Sequence, residues 1–254
     1  MARRERQGQG PMYSASAIIA AGGAGRRFQS TAAVAWATGR PPTKVFMPLA
    51  GRPVLAHTLE RFAAVEEVLE VIVAVPAEWV DEARRTFGDS LGHARRLEFV
   101  AGGLDRCESV ERALAATDWG PGLVAVHDAV RPLIRPEVIR DALRAAAGHG
   151  AAVVGRPVDH TVKRVDDEQR VLETVPRQRL WIAQTPQVFR RDVLTRAYAQ
   201  RDRAAAVTDD AQLVEALGQE VVMVLGDAAN LKITTPEDLR MCEALLAAGW
   251  PFDP

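Results

Sequence analysis

The sequence predicts an α/β fold with a mostly parallel sheet. Short apolar runs alternate with stretches whose apolar residues recur at helical spacing, which is the signature of βαβ units. Several runs end in Gly or Pro, as buried strands do when they enter a tight turn. The chain has 254 residues, 48% of them hydrophobic and 26% charged, which suits one large domain with a sizeable core and is too apolar for a disordered chain.

Ala15 to Ala21 is the first apolar run, closed by Gly22-Gly23. Pro53 to Val65 reads as a helix, with Pro where a missing N–H costs little. Val68 to Val75 is a strand ended by Pro76, and Glu78 to Phe87 a helix. Leu97 to Ala101 is a strand that runs into Gly102-Gly103, followed by a helix over Asp105 to Ala116. Gly122 to His127 is a strand, Pro136 to Ala147 a helix and Ala151 to Gly155 a strand. The pattern then changes. Thr161 to Val165 and Arg170 to Val175 flank a polar turn and predict a β-hairpin with too little apolar surface for a core of its own. It is either a solvated hairpin or an arm that packs on another subunit, and alternation alone does not separate the two. Helices follow at Arg191 to Arg201 and Asp209 to Leu217, then a strand at Glu220 to Leu225. A last helix runs from Pro236 to Ala248, with Thr235 as its N-cap. The expected domain covers 14–250, with 157–180 as the hairpin segment and 1–13 as a disordered tail.

Composition excludes several classes. Lys plus Arg number 32 against 33 Asp plus Glu, a net charge of −1, so the basic excess of a nucleic-acid or membrane-surface binder is missing. No apolar run reaches the roughly 18 residues of a membrane span. Two cysteines, Cys107 and Cys242, make neither a disulfide framework nor a metal site. A reducing, cytoplasmic setting is expected.

Three segments carry chemistry. In Ala21-Gly22-Gly23-Ala24-Gly25-Arg26-Arg27, glycines after a first strand let backbone N–H groups face phosphate oxygens, and an arginine can bind a polyphosphate bidentately. The alternative is a flexible turn with solvated arginines. Lys44 can supply a second cation, or be merely solvated. In Val126-His127-Asp128-Ala129-Val130-Arg131-Pro132, an apolar strand delivers Asp128 to the sheet edge where open α/β folds bind ligands. Asp128 can hold Mg²⁺ or a ribose hydroxyl, or cap the turn before Pro132. His127 reads as structural, since no second histidine lies at metal spacing.

Taken together, these segments resemble the IspD family, 2-C-methyl-D-erythritol 4-phosphate cytidylyltransferase of the non-mevalonate isoprenoid pathway. The likeness runs from about Ser16 to Ala247. Besides the segments above, it rests on Gly102-Gly103 with Arg106 and Ser109-Val110, Asp159-His160-Thr161-Val162-Lys163, Arg177, Gln184-Thr185-Pro186-Gln187, Thr208-Asp209-Asp210-Ala211, and Asn230-Leu231-Lys232-Ile233-Thr234. It implies a single Rossmann-like nucleotidyltransferase domain with a twisted sheet and a protruding β-hairpin dimerisation arm. By resemblance, Ala20, Ala21, Gly22, Gly23 and Gly25 would wrap the CTP phosphates and ribose. Gly103, Arg106 and Ser109 would lie near the cytosine, and Asp128 and Ala129 at the ribose, with Asp128 close to Mg²⁺–triphosphate. Arg27, Lys44, Arg177 and Lys232 are the implied catalytic residues, with Lys232 between the CTP α-phosphate and the incoming phosphate. Thr161 and Arg177 would reach the partner subunit's polyol phosphate, which Thr185 and Thr208 help hold, making the protein a homodimer. The sequence departs from the family in three places. Sixteen residues separate Arg27 from Lys44, with an Ala-rich insertion at Gln29 to Arg40 that holds Trp36. Thr43-Lys44-Val45 replaces Pro-Lys-Gln, and Leu104 stands where the family is often polar. The competing readings are a cytidylyltransferase for another polyol phosphate, such as ribitol 5-phosphate, and a non-catalytic nucleotide-binding regulatory domain.

Overall fold

The computed structural model describes residues 13–22, 44–91, 95–118, 120, 122–203 and 206–250. The expectations for the tail 1–12, for Gly23, Gly25, Arg26 and Arg27, and for the insertion Gln29 to Arg40 lie outside these residues.

Strand β1 (Ala15–Ala20) has five fully buried residues and occupies the middle of the sheet. A two-residue ladder follows, β2 (Pro48–Leu49) with β3 (Arg52–Pro53). Its turn is Ala50-Gly51, both at positive φ (50° and 80°), the geometry that joins strands through two residues. Next come α1 (Val54–Ala63), β4 (Val68–Val75), α2 (Val80–Phe87), β5 (Arg96–Ala101), α3 (Arg106–Ala115) and β6 (Leu123–Asp128). A single 3₁₀ turn, Ala77–Trp79, leads into α2, so the helix proper starts later than expected. The chain continues with α4 (Pro136–His149), β7 (Ala151–Pro157), the hairpin β8 (Val162–Val165) and β9 (Val171–Val175), then β10 (Trp181–Arg190). It closes with α5 (Arg191–Ala199), α6 (Asp210–Glu215), β11 (Val222–Leu225) and α7 (Pro236–Ala247). Thr235 does cap α7, in a reciprocal box with Asp238.

Among the described residues, the main sheet has seven strands in the order β11-β7-β10-β6-β1-β4-β5. Pairings of β1 with β4 and β6, of β4 with β5 and of β11 with β7 are parallel. Only β10 runs against its neighbours, β6 and β7. Of the strands in this sheet, it is the one the sequence does not announce. Pro186 lies inside it, at an irregularity between Ala183 and Gln187 where the ladder with β7 breaks, which is where a strand tolerates proline.

The sheet is covered on both faces. On one, Leu55, Leu59 and Phe62 of α1, Phe87 of α2 and Ile139 and Leu143 of α4 pack on Ala17, Ile19, Val71 and Val73. On the other, Val110 of α3, Leu194 and Tyr198 of α5 and Leu213 of α6 pack on Ile18, Ile72, Val124 and Val126. α7 closes a third, smaller cluster with Leu133 and Ile233. From β1 the sheet grows through β4 and β5 on one side, then returns to place β6 on the other. The C-terminal ends of β1 and β6 therefore flank the crevice where strand order reverses.

Candidate active site

Two glycine-bearing turns meet beside the end of β1. A Cβ placed on Gly22 would lie 2.9 Å from Ser109 Oγ, and one on Gly102 would lie 2.9 Å from the same oxygen. Both positions need glycine because the backbones close on Ser109 from two sides. Ser109 is buried; its hydroxyl donates to the Asp105 carbonyl (2.7 Å) and accepts the Gly103 N–H (3.0 Å). The Leu104 N–H is also taken, by Glu108 at 2.7 Å, while the Leu104 side chain is 99% exposed. Ser109 and Gly103 thus shape the turn from within. On the β6 side, the Ala129 N–H donates to the Ala20 carbonyl (3.1 Å), tying the two strand ends together.

Beyond them opens a pocket of about 220 Å³. It brings together five of the expected residues, Arg106, Asp128, Thr185, Thr208 and Lys232, and adds Arg131, Gln187 and Asp209. Asp128 is its centre. Arg106 Nε reaches Oδ1 at 3.2 Å, Lys232 Nζ reaches Oδ2 at 2.8 Å, and Arg131 Nε approaches Oδ2 at 3.4 Å. Burial alone would keep this carboxyl neutral. Arg106, Lys232 and Arg131 outweigh it and hold Asp128 well below the usual carboxylate range, so it is ionised at every physiological pH.

Arg106 is itself clamped. Its Nη1 donates to Asp210 Oδ2 at 2.6 Å, and Asp210, fully buried, also accepts from Tyr198 Oη at 2.5 Å. Burial and the neighbouring Asp210 push the Tyr198 phenol upward, so it stays a donor. Asp210 stands in the Thr208-Asp209-Asp210-Ala211 segment, where the sequence alone shows no role for it. Asp209 is the N-cap of α6 and accepts the Gln212 N–H, which turns the next residue inward. The spacing Asp209-x-x-Gln212 is the signal that could have separated the two acids.

Lys232 is the most exposed of the three cations, with 43% of its side chain open to solvent. The loop that carries it runs along β6's exit, where the Ile233 N–H donates to the Val130 carbonyl. Lys44 Nζ reaches the Thr234 carbonyl on that loop at 3.4 Å, so Lys44 and Lys232 are brought to one segment. Thr208 lies at the rim, its hydroxyl donating to Gln212. Thr161 and Arg177 do not line the pocket. Both are exposed on the hairpin, where Arg177 donates to the Asp159 carbonyl. His127 is buried and packs on the ring of Phe62, as a structural histidine does.

The family model for IspD, 2-C-methyl-D-erythritol 4-phosphate cytidylyltransferase, matches residues 15–248. The chain belongs to this family. It is 40% identical to 2-C-methyl-D-erythritol 4-phosphate cytidylyltransferase of Pelotomaculum thermopropionicum, over 93% of this chain and 96% of that one. With the Frankia casuarinae enzyme of the same name it shares 42%, over 94% of this chain and 83% of the relative. The crystal structure of the Thermus thermophilus enzyme superposes with a TM-score of 0.71 at 34% identity, covering 92% of this chain and 99% of that one. This IspD member is therefore a nucleotidyltransferase by family and by fold, and its pocket sits at the strand switch that such folds use.

Proposed function

We propose that this IspD family member transfers CMP from CTP to 2-C-methyl-D-erythritol 4-phosphate by direct in-line displacement, releasing pyrophosphate. The substrate's phosphate oxygen attacks the α-phosphorus, and the bond to the β-phosphate oxygen breaks. A phosphate monoester is already an anionic nucleophile, so no general base is needed. Catalysis then rests on positioning and charge stabilisation.

The observation that carries this reading is the Lys232–Asp128 ion pair at 2.8 Å, with the carboxylate buried and the lysine open to solvent at the crevice. Asp128 fixes the Lys232 ammonium at the crevice mouth, while the lysine retains N–H donors for phosphate oxygens. Arg106 and Arg131 hold the carboxylate so that Lys232 is free to turn toward substrate without leaving Asp128 unpaired. Arg27 and Lys44 are the further cations assigned to the triphosphate.

Mg²⁺ belongs to this reading as an ion carried in with the triphosphate. Among the described residues there is no group of three acidic, His or Cys side chains that could cage a metal. Among the described residues Asp128 Oδ1 has one hydrogen-bonded neighbour, Arg106, so it fits as a single hard oxygen ligand completed by phosphates. Asp128 would hold the ion, which supplies charge neutralisation at the leaving pyrophosphate.

The hairpin is assigned as an arm that enters the site of a second copy. Val171 (61% exposed) and Leu172 (62%) offer apolar surface to a partner, and Thr161 and Arg177 have no place in their own chain's pocket. Among the described residues no helix is long and apolar enough to cross a membrane, and a cytoplasmic site of action is part of the proposal. Incubation with CTP, Mg²⁺ and either 2-C-methyl-D-erythritol 4-phosphate or ribitol 5-phosphate, read by pyrophosphate release, tests it. Preference for the methylerythritol substrate is expected. Preference for ribitol 5-phosphate, or release with neither, would overturn the reading.

A further inference from the structure

Behind the pocket wall, a buried chain of hydrogen bonds fixes which way one hydroxyl points. His127 Nε2 lies 3.2 Å from the Arg131 carbonyl oxygen. A carbonyl only accepts, so Nε2 carries a proton. The ring is fully buried against Phe62, and its two nitrogens face a carbonyl and a hydroxyl with no carboxylate on either, so at pH 7 it is the neutral imidazole. In a neutral ring protonated at Nε2, Nδ1 is an acceptor. Nδ1 lies 3.0 Å from Thr185 Oγ1, so the Thr185 hydroxyl proton is donated to His127. The same oxygen accepts the Asp128 N–H at 3.1 Å. A hydroxyl has one proton and two lone pairs. Thr185 therefore keeps one lone pair and no proton for the pocket it lines.

We infer that His127 is a positioning residue that makes Thr185 an acceptor-only contact, and that the group Thr185 takes from the substrate is a polyol hydroxyl, not the phosphate. A phosphate dianion has no proton to give, and it would face an oxygen lone pair at Thr185. The phosphate is then left to the cations, and Thr185 reads the carbon chain. This rests on the polyol phosphate being the substrate, as proposed above.

The tautomer can be measured without turnover. Long-range ¹H–¹⁵N correlation on the histidine-labelled full chain should show His127 protonated at Nε2 and bare at Nδ1 at pH 7. A ring protonated at Nδ1 would overturn the inference even if the enzyme proved inactive on every polyol phosphate tried. Kinetics supply the second arm. Thr185→Val should raise KM for the polyol phosphate at least tenfold and leave inhibition by inorganic phosphate within twofold, while Thr185→Ser should restore KM to within threefold. Equal weakening of inorganic phosphate and polyol phosphate by Thr185→Val would show that Thr185 holds the phosphate. An unchanged polyol KM would show that it holds neither. Either result overturns the assignment.

Discussion

The pocket floor and the hairpin arm are built on opposite plans. On the floor, Asp128, Arg106, Asp210, Tyr198, Thr185 and His127 are largely withdrawn from water, and each bonds to a partner on another element. On the arm, the ion pairs Arg164–Glu173 and Arg170–Asp166 lie at the surface, and Val165, Val171 and Leu172 face solvent. Exposed pairs of this kind contribute about 0–1 kcal/mol each. The floor's bonds close within one chain, whereas Thr161 and Arg177, assigned to binding in the proposal above, lie outside their own chain's pocket. The shared active site proposed above would account for the difference: on that reading the floor supplies fixed charge, and the arm supplies residues that act on a second copy.

Acid should break the floor and spare the arm. His127 has a folded pKa near 4, below its unfolded value near 6.5. As pH falls through this window the unfolded chain takes up a proton that the folded chain refuses, so stability falls by about 3 kcal/mol between pH 7 and pH 4. Denaturant melts across that range check it, and a flat profile would mean that His127 is not buried and neutral. Next in size, Lys232→Ala should cut kcat/KM at least 100-fold, about 2.7 kcal/mol, as should Arg27→Ala. A loss under tenfold in a folded variant would remove the residue from the reaction. The arm gives a sharper contrast. Arg177→Ala should be nearly inactive alone, yet co-expression with Lys232→Ala should restore about a quarter of wild-type activity. Half of randomly paired dimers are mixed, and each mixed dimer has one intact site of two. No recovery would place Arg177 in its own chain's site. The smallest effect belongs to the glycine turns. Gly102→Ala forces a Cβ to within 2.9 Å of Ser109 Oγ and 3.3 Å of the Val75 carbonyl, and should cost about 1–2 kcal/mol in thermal stability with a raised KM for CTP.

Much of this was legible from residues alone. Val68–Val75 announced itself as a strand by β-branched and apolar residues interrupted only at Glu70, and the hairpin by alternation around a polar turn. Trp181–Arg190 did not, because a proline inside a run argues against a strand unless a break in the ladder accommodates it. The ladder of Pro48–Leu49 with Arg52–Pro53 was too short to have a period. In the site, Asp128, Arg106, Thr185, Thr208 and Lys232 were named from motifs, and they converge on one pocket. Their mutual bonding was not readable: nothing in the sequence says that Arg106 spans two carboxylates, or that Ser109 lies beneath a turn. Those facts depend on side-chain directions set by where α3 and α6 come to rest on the sheet, which no local pattern encodes.

The lone antiparallel strand also sets a timetable. β10 fills the gap between β6 and β7, and its last residue is Arg190. Until the ribosome has delivered that residue, one edge of β6 has no partner, and Asp128 lacks the Thr185 oxygen that its N–H will meet. The pairing of Val126 with Gln187 spans about sixty residues, a long loop to close before any contact rewards it. The half of the sheet around β1, β4 and β5 needs no such wait. The side of the crevice bounded by β1, β4 and β5 can thus pair early in synthesis, and the side that carries Thr185 pairs late.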